Sequence, residues 1–272
     1  DQRKTLLKPI LQALDRGKPA DVLAACTSLT EKDQRFAPLC QRYKADALRD
    51  LNQHDALESF LKMILADRAT PWAYAALGKL LFKRGKASEA QAIYERAMIA
   101  FPMIPTLYDG LADVLVARGD ARRAQSVLED AVRLSPLAVR RQRLLGKLAM
   151  GNEDFESASK AYRHAVSQGQ YSRFKDPESN LGLAQALISK NGDKGLDARA
   201  RVEINQTLGE VAKEYGNDQG LQLRTRLMKA TSLQQSDPET AAKLTAQALA
   251  VLQGMESFLG ADAALAVAAQ LQ

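Results

Sequence analysis

The chain has little of what a sheet, a disulfide framework or a membrane span requires. Its 272 residues hold only 28 Val, Ile and Thr together, against 45 Ala and 39 Leu, and aromatics make up 6%. Pleated, half-buried surfaces draw on the β-branched and aromatic types, so an all-α chain is expected and a large sheet is not. Two cysteines, Cys26 and Cys40, are too few for a disulfide scaffold in so long a chain. The apolar run near the end, Ala263 to Ala269, is far too short to cross a bilayer. The first thirty residues contain no basic flank followed by an apolar core, so no secretory signal is read there, and a cytoplasmic protein is expected. Because the sequence opens on Asp1, a processed product or a piece of a longer protein is also expected.

What is present is a soluble, folded composition, with 26% charged and 46% hydrophobic residues. The net charge of +6 permits an acidic partner without demanding nucleic acid. The informative feature is a period. Arg84-Gly85-Lys86 precedes Ala90 and Tyr94, and Arg118-Gly119-Asp120 precedes Ala124 and Leu128, 34 residues later. The same step carries Leu77 to Leu111 and Leu145, Ala97 to Ala131 and Ala165, and Pro102 to Pro136. Two steps backward place Arg84-Gly85-Lys86 on Arg16-Gly17-Lys18. A period of this length means stacked supersecondary units, none of which can bury its apolar face alone.

These columns resemble the tetratricopeptide repeat, a helix-turn-helix unit of 34 residues. The copy at 71–104 has Tyr74, Leu77, Gly78, Leu81, Gly85, Ala90, Tyr94, Ala97 and Pro102 in the family's columns. The copies at 105–138 and 139–172 follow, the latter with Gln170 where proline is expected. Small residues are needed where two helices approach closely, a large apolar residue fills the gap opposite, and proline stops the second helix. Residues 37–70 keep the phase with weaker columns, and 1–36 form a degenerate first repeat in which Pro9 predicts an interrupted helix. After 172 the phase breaks. Leu181-Gly182 restarts it about two residues late, two divergent hairpins occupy 173–254, and an alanine-rich capping helix is expected over 255–272. Thr70-Pro71, Asp176-Pro177 and Asp237-Pro238 read as capped helix starts. The resemblance implies a right-handed superhelical solenoid of antiparallel helix pairs, about seven hairpins plus the terminal helix.

No catalytic constellation, cofactor motif or metal-ligand spacing emerges. The four Gly-Lys pairs have Gln12, Ala73, Leu80 and Arg141 five positions ahead of their glycines, where a phosphate-binding loop needs glycine. His54, read into a turn, and His164, on an outer helix face, have no partner at ligand or triad spacing. The chain is therefore read as a non-enzyme without cofactor. Cys26 and Cys40 fall on packing columns of adjacent hairpins, where they are either small core hydrophobes or a redox pair.

The resemblance further implies that first helices line a concave face, with the second, fifth, ninth, twelfth and thirteenth residues of each unit pointing inward. Those columns hold Gln41, Ala45, Leu48 and Arg49, then Trp72, Ala75, Lys79, Phe82 and Lys83. Asp109, Asp113 and Val116 follow, then Arg140, Arg143, Lys147 and Met150. Such a wall, mostly basic with an acidic stripe, suits an extended peptide or partner helix carrying charge and apolar anchors, and a ligand with acidic segments is expected. Trp72 reads equally as packing or as an anchor, and the cations as a binding surface or a solvated face. The family's two-carboxylate clamp is absent, since its columns hold Gln41, Ala45, Ala76, Asp109 and Gly110. RNA binding, as in the pentatricopeptide relatives, is disfavoured because Asp109 and Asp113 would face the phosphates. Residues 1–29 are similar to the junction that follows the receiver in bacterial response regulators ending in such repeats, which implies a signalling output module. A structural assembly scaffold is the alternative, and pairing of two copies stays open.

Overall fold

The computed structural model describes residues 2–173, 175–192 and 195–259. Among them are fourteen α-helices, a short 3-10 turn at Gln34–Phe36 and no strand. In chain order the helices are α1 (Gln2–Asp15), α2 (Pro19–Lys32), α3 (Ala37–Asp50), α4 (His54–Asp67), α5 (Pro71–Lys83), α6 (Ala87–Ala100) and α7 (Pro105–Ala117). Then come α8 (Ala121–Leu134), α9 (Val139–Gly151), α10 (Phe155–Gly169), α11 (Pro177–Asn191), α12 (Ala198–Glu214), α13 (Gln219–Leu233) and α14 (Pro238–Leu259). They fall into two compact units, the first ending at Asp120 and the second beginning at Ala121. In each, consecutive helices pack on one another, and alternate helices also touch, α5 on α7 in the first unit and α9 and α13 on α11 in the second.

One turn is built five times. At the end of α1, α3, α5, α7 and α9 a residue takes a left-handed conformation: Gly17, Asn52, Gly85, Gly119 and Glu153, with φ between 56° and 82°. The following amide reaches back to the carbonyl five residues earlier: Lys18 to Ala13, Gln53 to Leu48, Lys86 to Leu81, Asp120 to Leu115 and Asp154 to Ala149, each at 2.9 Å. This is the Schellman closure, which satisfies carbonyls the helix end would otherwise orphan. Asn52 stands 33 residues before Gly85 and 35 after Gly17, so the copy at 37–70 slips by one at its turn.

Four expectations change. Pro9 does not interrupt α1, which runs through it. Pro9 lies on the exposed side of the helix, while Ile10 and Ala13 hold the other side in the core. Asp176 and Asp237 cap as expected, accepting from the Ser179 and Thr240 amides at 2.9 and 3.0 Å. Thr70 does not cap, and its hydroxyl is buried without a partner. His54 opens α4 instead of occupying a turn, because the turn closes at Asn52. At the far end α14 runs through 255–259 with no break at 254, and the rest of the expected capping helix, 260–272, lies outside the described residues.

Candidate functional site

In the first unit the face of α5 and α7 is organised by Tyr94, which rises from α6. Its ring lies against Gly78 of α5 and Gly110 of α7. A methyl on Gly78 would come within 2.7 Å of the ring, and one on Gly110 would overlap it outright. Two glycines therefore make the socket for one tyrosine. The hydroxyl donates to the Ala75 carbonyl at 3.4 Å, and burial, aided by the Asp113 carboxylate, pushes the phenol up to about 12. Above this floor stand Lys79, Asp109 and Asp113. Asp113 reaches solvent, yet desolvation by its surroundings and the charge of Asp109 hold its carboxyl above the usual range, with Lys79 opposing them.

The second unit repeats the socket. Tyr162 of α10 lies between Gly146 of α9 and Gly182 of α11, and a methyl on Gly146 would meet the ring at 2.9 Å. This contact fixes the register of α11. Gly182 is the sixth residue of its helix, as Gly110 is of α7, so Leu183-Ala184 and not Leu181-Gly182 continues Leu145-Gly146. The phase shift after 172 is thus four residues, not two. Burial pushes Tyr162 up to about 12, with Glu178 and Asp176 adding to it and Arg143 opposing.

The expected inward residues divide by availability. Lys79, Lys83, Asp113, Arg140 and Lys147 are exposed, and Gln41, Trp72 and Asp109 are half-buried. Ala45 is buried in the core and lines nothing. Arg143 is held by Asp176 at 3.0 Å, so the capping residue of α11 consumes a cation that the sequence offers to a partner. Arg49 is exposed and paired with Asp46 at 2.6 Å and Asp50 at 3.1 Å on its own helix. Sequence reasoning missed Gly110 and Gly182 as parts of the faces, although both stand six residues into a helix that follows a tyrosine on the column of Tyr94.

A shallow cleft lined by Gly169, Lys175, Asp176, Ser179, Asn180 and Glu210 is closed by its own polar pairs. Lys175 pairs with Glu214, Asp176 with Arg143, and Asn180 donates to Glu210 at 3.3 Å. No group of three His, Cys, Asp or Glu side chains converges on a metal-sized space among the described residues. Cys26 and Cys40 do meet. Both are free, buried thiols of one core cluster, hydrogen-bonded to each other, and burial, then the neighbouring Cys40, pushes Cys26 up to about 12. No helix among the described residues is long and apolar enough to cross a membrane.

No protein-family model and no curated protein matches the sequence. Solved structures do. The C-terminal part of a TPR repeat-containing protein from Cytophaga hutchinsonii aligns with a TM-score of 0.65 at 15% identity, over 90% of this chain and 95% of that one. YrrB, a TPR protein with an unusual peptide-binding site, aligns with a TM-score of 0.57 at 18% identity, over 70% of this chain and 90% of its own. PilW, a type IV pilus biogenesis factor, gives 0.55 at 11%, over 80% and 96%. The all-helical pairs, the fivefold Schellman turn and these likenesses agree on one conclusion: the fold is that of tetratricopeptide-repeat proteins.

Proposed function

We propose that the chain is a non-enzymatic interaction scaffold whose first-helix faces hold a peptide or a partner protein. The observation that carries this reading is the pair of glycine-tyrosine sockets. The helices that form each socket also carry charge on their surface: Lys79 and Asp113, exposed, with the half-buried Asp109 on α5 and α7 in one unit, and the exposed Arg140 and Lys147 on α9 in the other. Exposed charges carried on first helices that the tyrosines lock together suit an extended chain, which is gripped by ion pairs. The peptide-binding site named for YrrB supports the same use of the fold. Arg140 and Lys147 favour acidic stretches of the partner, and Asp109 and Asp113 favour basic ones.

Capture of partners from the source cell, compared between the natural chain and a Lys79→Glu, Lys147→Glu variant with unchanged helicity, tests the reading. Loss of at least one partner is expected, and identical captured sets refute it. Use as the output module of a cytoplasmic response regulator rests on residues 1–29 alone. The encoded sequence ahead of Asp1 tests it, because a receiver needs an acidic pocket, a phosphorylatable Asp and a Lys. An assembly scaffold without signalling is the competing use. Sedimentation of the purified chain decides whether two copies pair.

A further inference from the structure

Among the described residues, four large hydrophobic side chains are more than 70% exposed: Ile99 (83%), Met103 (72%), Leu137 (71%) and Tyr171 (88%). Met103, Leu137 and Tyr171 stand one repeat apart, at 34-residue steps, each in the turn that leaves a second helix. Lone apolar side chains on a surface are ordinary. The same column exposed in three successive copies is not.

In the second unit the tip can be described closely. α9 and α10 run antiparallel through a short turn, so Leu137, just before α9, and Tyr171, just after α10, share the end opposite that turn. Backbone bonds from Ala138 to Ser135 and from Ser172 to Gly169 close the two turns that carry them outward. The hairpin's charges are sorted along its length. Its acids, Glu153, Asp154 and Glu156, are all at the α9–α10 turn, while the Leu137–Tyr171 end bears Arg140, Arg141, Arg173 and Lys175 and no acid of the hairpin. Neighbouring acids at that end are engaged, Asp176 with Arg143, Glu178 with Arg224, Glu210 with Asn180 and Glu214 with Lys175, so the tip's cationic face is made by its arginines.

We propose that this tip docks on an anionic lipid surface, with Leu137 and Tyr171 entering the headgroup layer and the arginines facing the phosphates. Two protruding apolar side chains would need matching sockets on a protein, whereas a fluid interface adapts to them. Tyrosine, apolar in body and polar at its tip, suits that depth. Binding should be weak and reversible, since it combines a small buried area with a few cations near the surface. This use is independent of the first-helix faces.

Co-sedimentation with vesicles of phosphatidylcholine alone, and of phosphatidylcholine with an equal part of phosphatidylglycerol, tests it. The chain is expected to pellet with the second and not the first, to be released by high salt, and to bind about tenfold more weakly as the Leu137→Ser, Tyr171→Ser variant. Both substituted positions are solvent-exposed, and helicity is checked by circular dichroism. A Tyr171→Trp change in a Trp72→Phe background gives a second readout, a blue-shifted emission on anionic vesicles. Failure to pellet, equal binding to neutral vesicles, or binding indifferent to Leu137 and Tyr171 overturns the proposal. So does Tyr171-dependent retention on an immobilised Glu/Leu peptide without vesicle binding, which would assign the tip to an acidic protein segment.

Discussion

The two units tie a second helix to the next hairpin's turn by different chemistry. In the first, Glu58 on α4 is buried and receives Lys62 at 2.7 Å, Arg84 at 2.8 Å and Lys86 at 3.4 Å, with Arg84 also reaching Asp55 at 2.7 Å. In the second, Gln125 on α8 is buried and donates to Asp154 at 2.7 Å, while Asn152 donates to Gln125 at 2.8 Å and to the Ala121 carbonyl at 3.1 Å. Hydrogen bonds from Lys62, then from Lys86, against burial, hold Glu58 below the usual carboxylate range. Burial would raise Asp154, but Ser157 and Gln125 more than offset it. One architecture thus admits an ionic and an amide solution at the same joint. The fold constrains where a polar tie is made and leaves its chemistry free.

The comparison can be broken at several points, taken here from the largest effect down. Removing the wedge should hurt both units: Tyr94→Ala and Tyr162→Ala are each expected to cost about 3–5 kcal/mol in denaturant unfolding. Adding a methyl to the socket, Gly110→Ala, should cost about 1–3 kcal/mol, and Tyr94→Leu in the same chain should recover part of it. Simple addition of the two losses would mean that ring and glycine do not share a socket. Glu58→Gln should destabilise by about 1–2 kcal/mol, less than for a fully buried pair because its cations reach water. Its loss should shrink in high salt, and Gln125→Leu should show no such salt dependence.

Acidity sharpens the contrast by sign. Glu58 has a depressed folded-state pKa, so its contribution is present above the unfolded carboxylate value and fades as pH falls through the folded one. Asp113 has a raised one, so its ionisation opposes folding, and the native chain loses stability as pH rises from the unfolded value through the folded value. Asp113→Asn should therefore be neutral or stabilising at pH 7, with the difference vanishing in acid. The smallest effect is expected at the turn of α9. Glu153 takes the left-handed conformation that Gly85 and Gly119 take elsewhere, so Glu153→Gly should stabilise by up to about 1 kcal/mol, seen as a later unfolding midpoint.

Much of this was legible. Leu77, Gly78, Ala90, Tyr94 and Ala97 carry the period because each answers a local packing need that recurs, and the structure buries them all. The partner of a column in the next helix was not. Gly110 looked only like a departure from the family clamp, whereas Tyr94 needs glycine on both sides. The signal existed, since Tyr94 and Tyr162 are flanked by glycines on both columns, while Leu128 stands with Ala112 and Leu144 on them. The ion pair of Arg143 and the burial of Ala45 were not legible for another reason. Whether a side chain at a given column is spent internally depends on its neighbour in space, here the capping Asp176, and a linear period does not encode that.

The meeting of Cys26 and Cys40 has a practical corollary. Both sulfurs are sealed from solvent, and burial raises the Cys26 thiol besides, so a maleimide or an iodoacetamide should reach neither in the folded chain. A cysteine introduced at a surface site such as Leu137 could then accept a fluorophore or spin label by itself, with the native pair left in place.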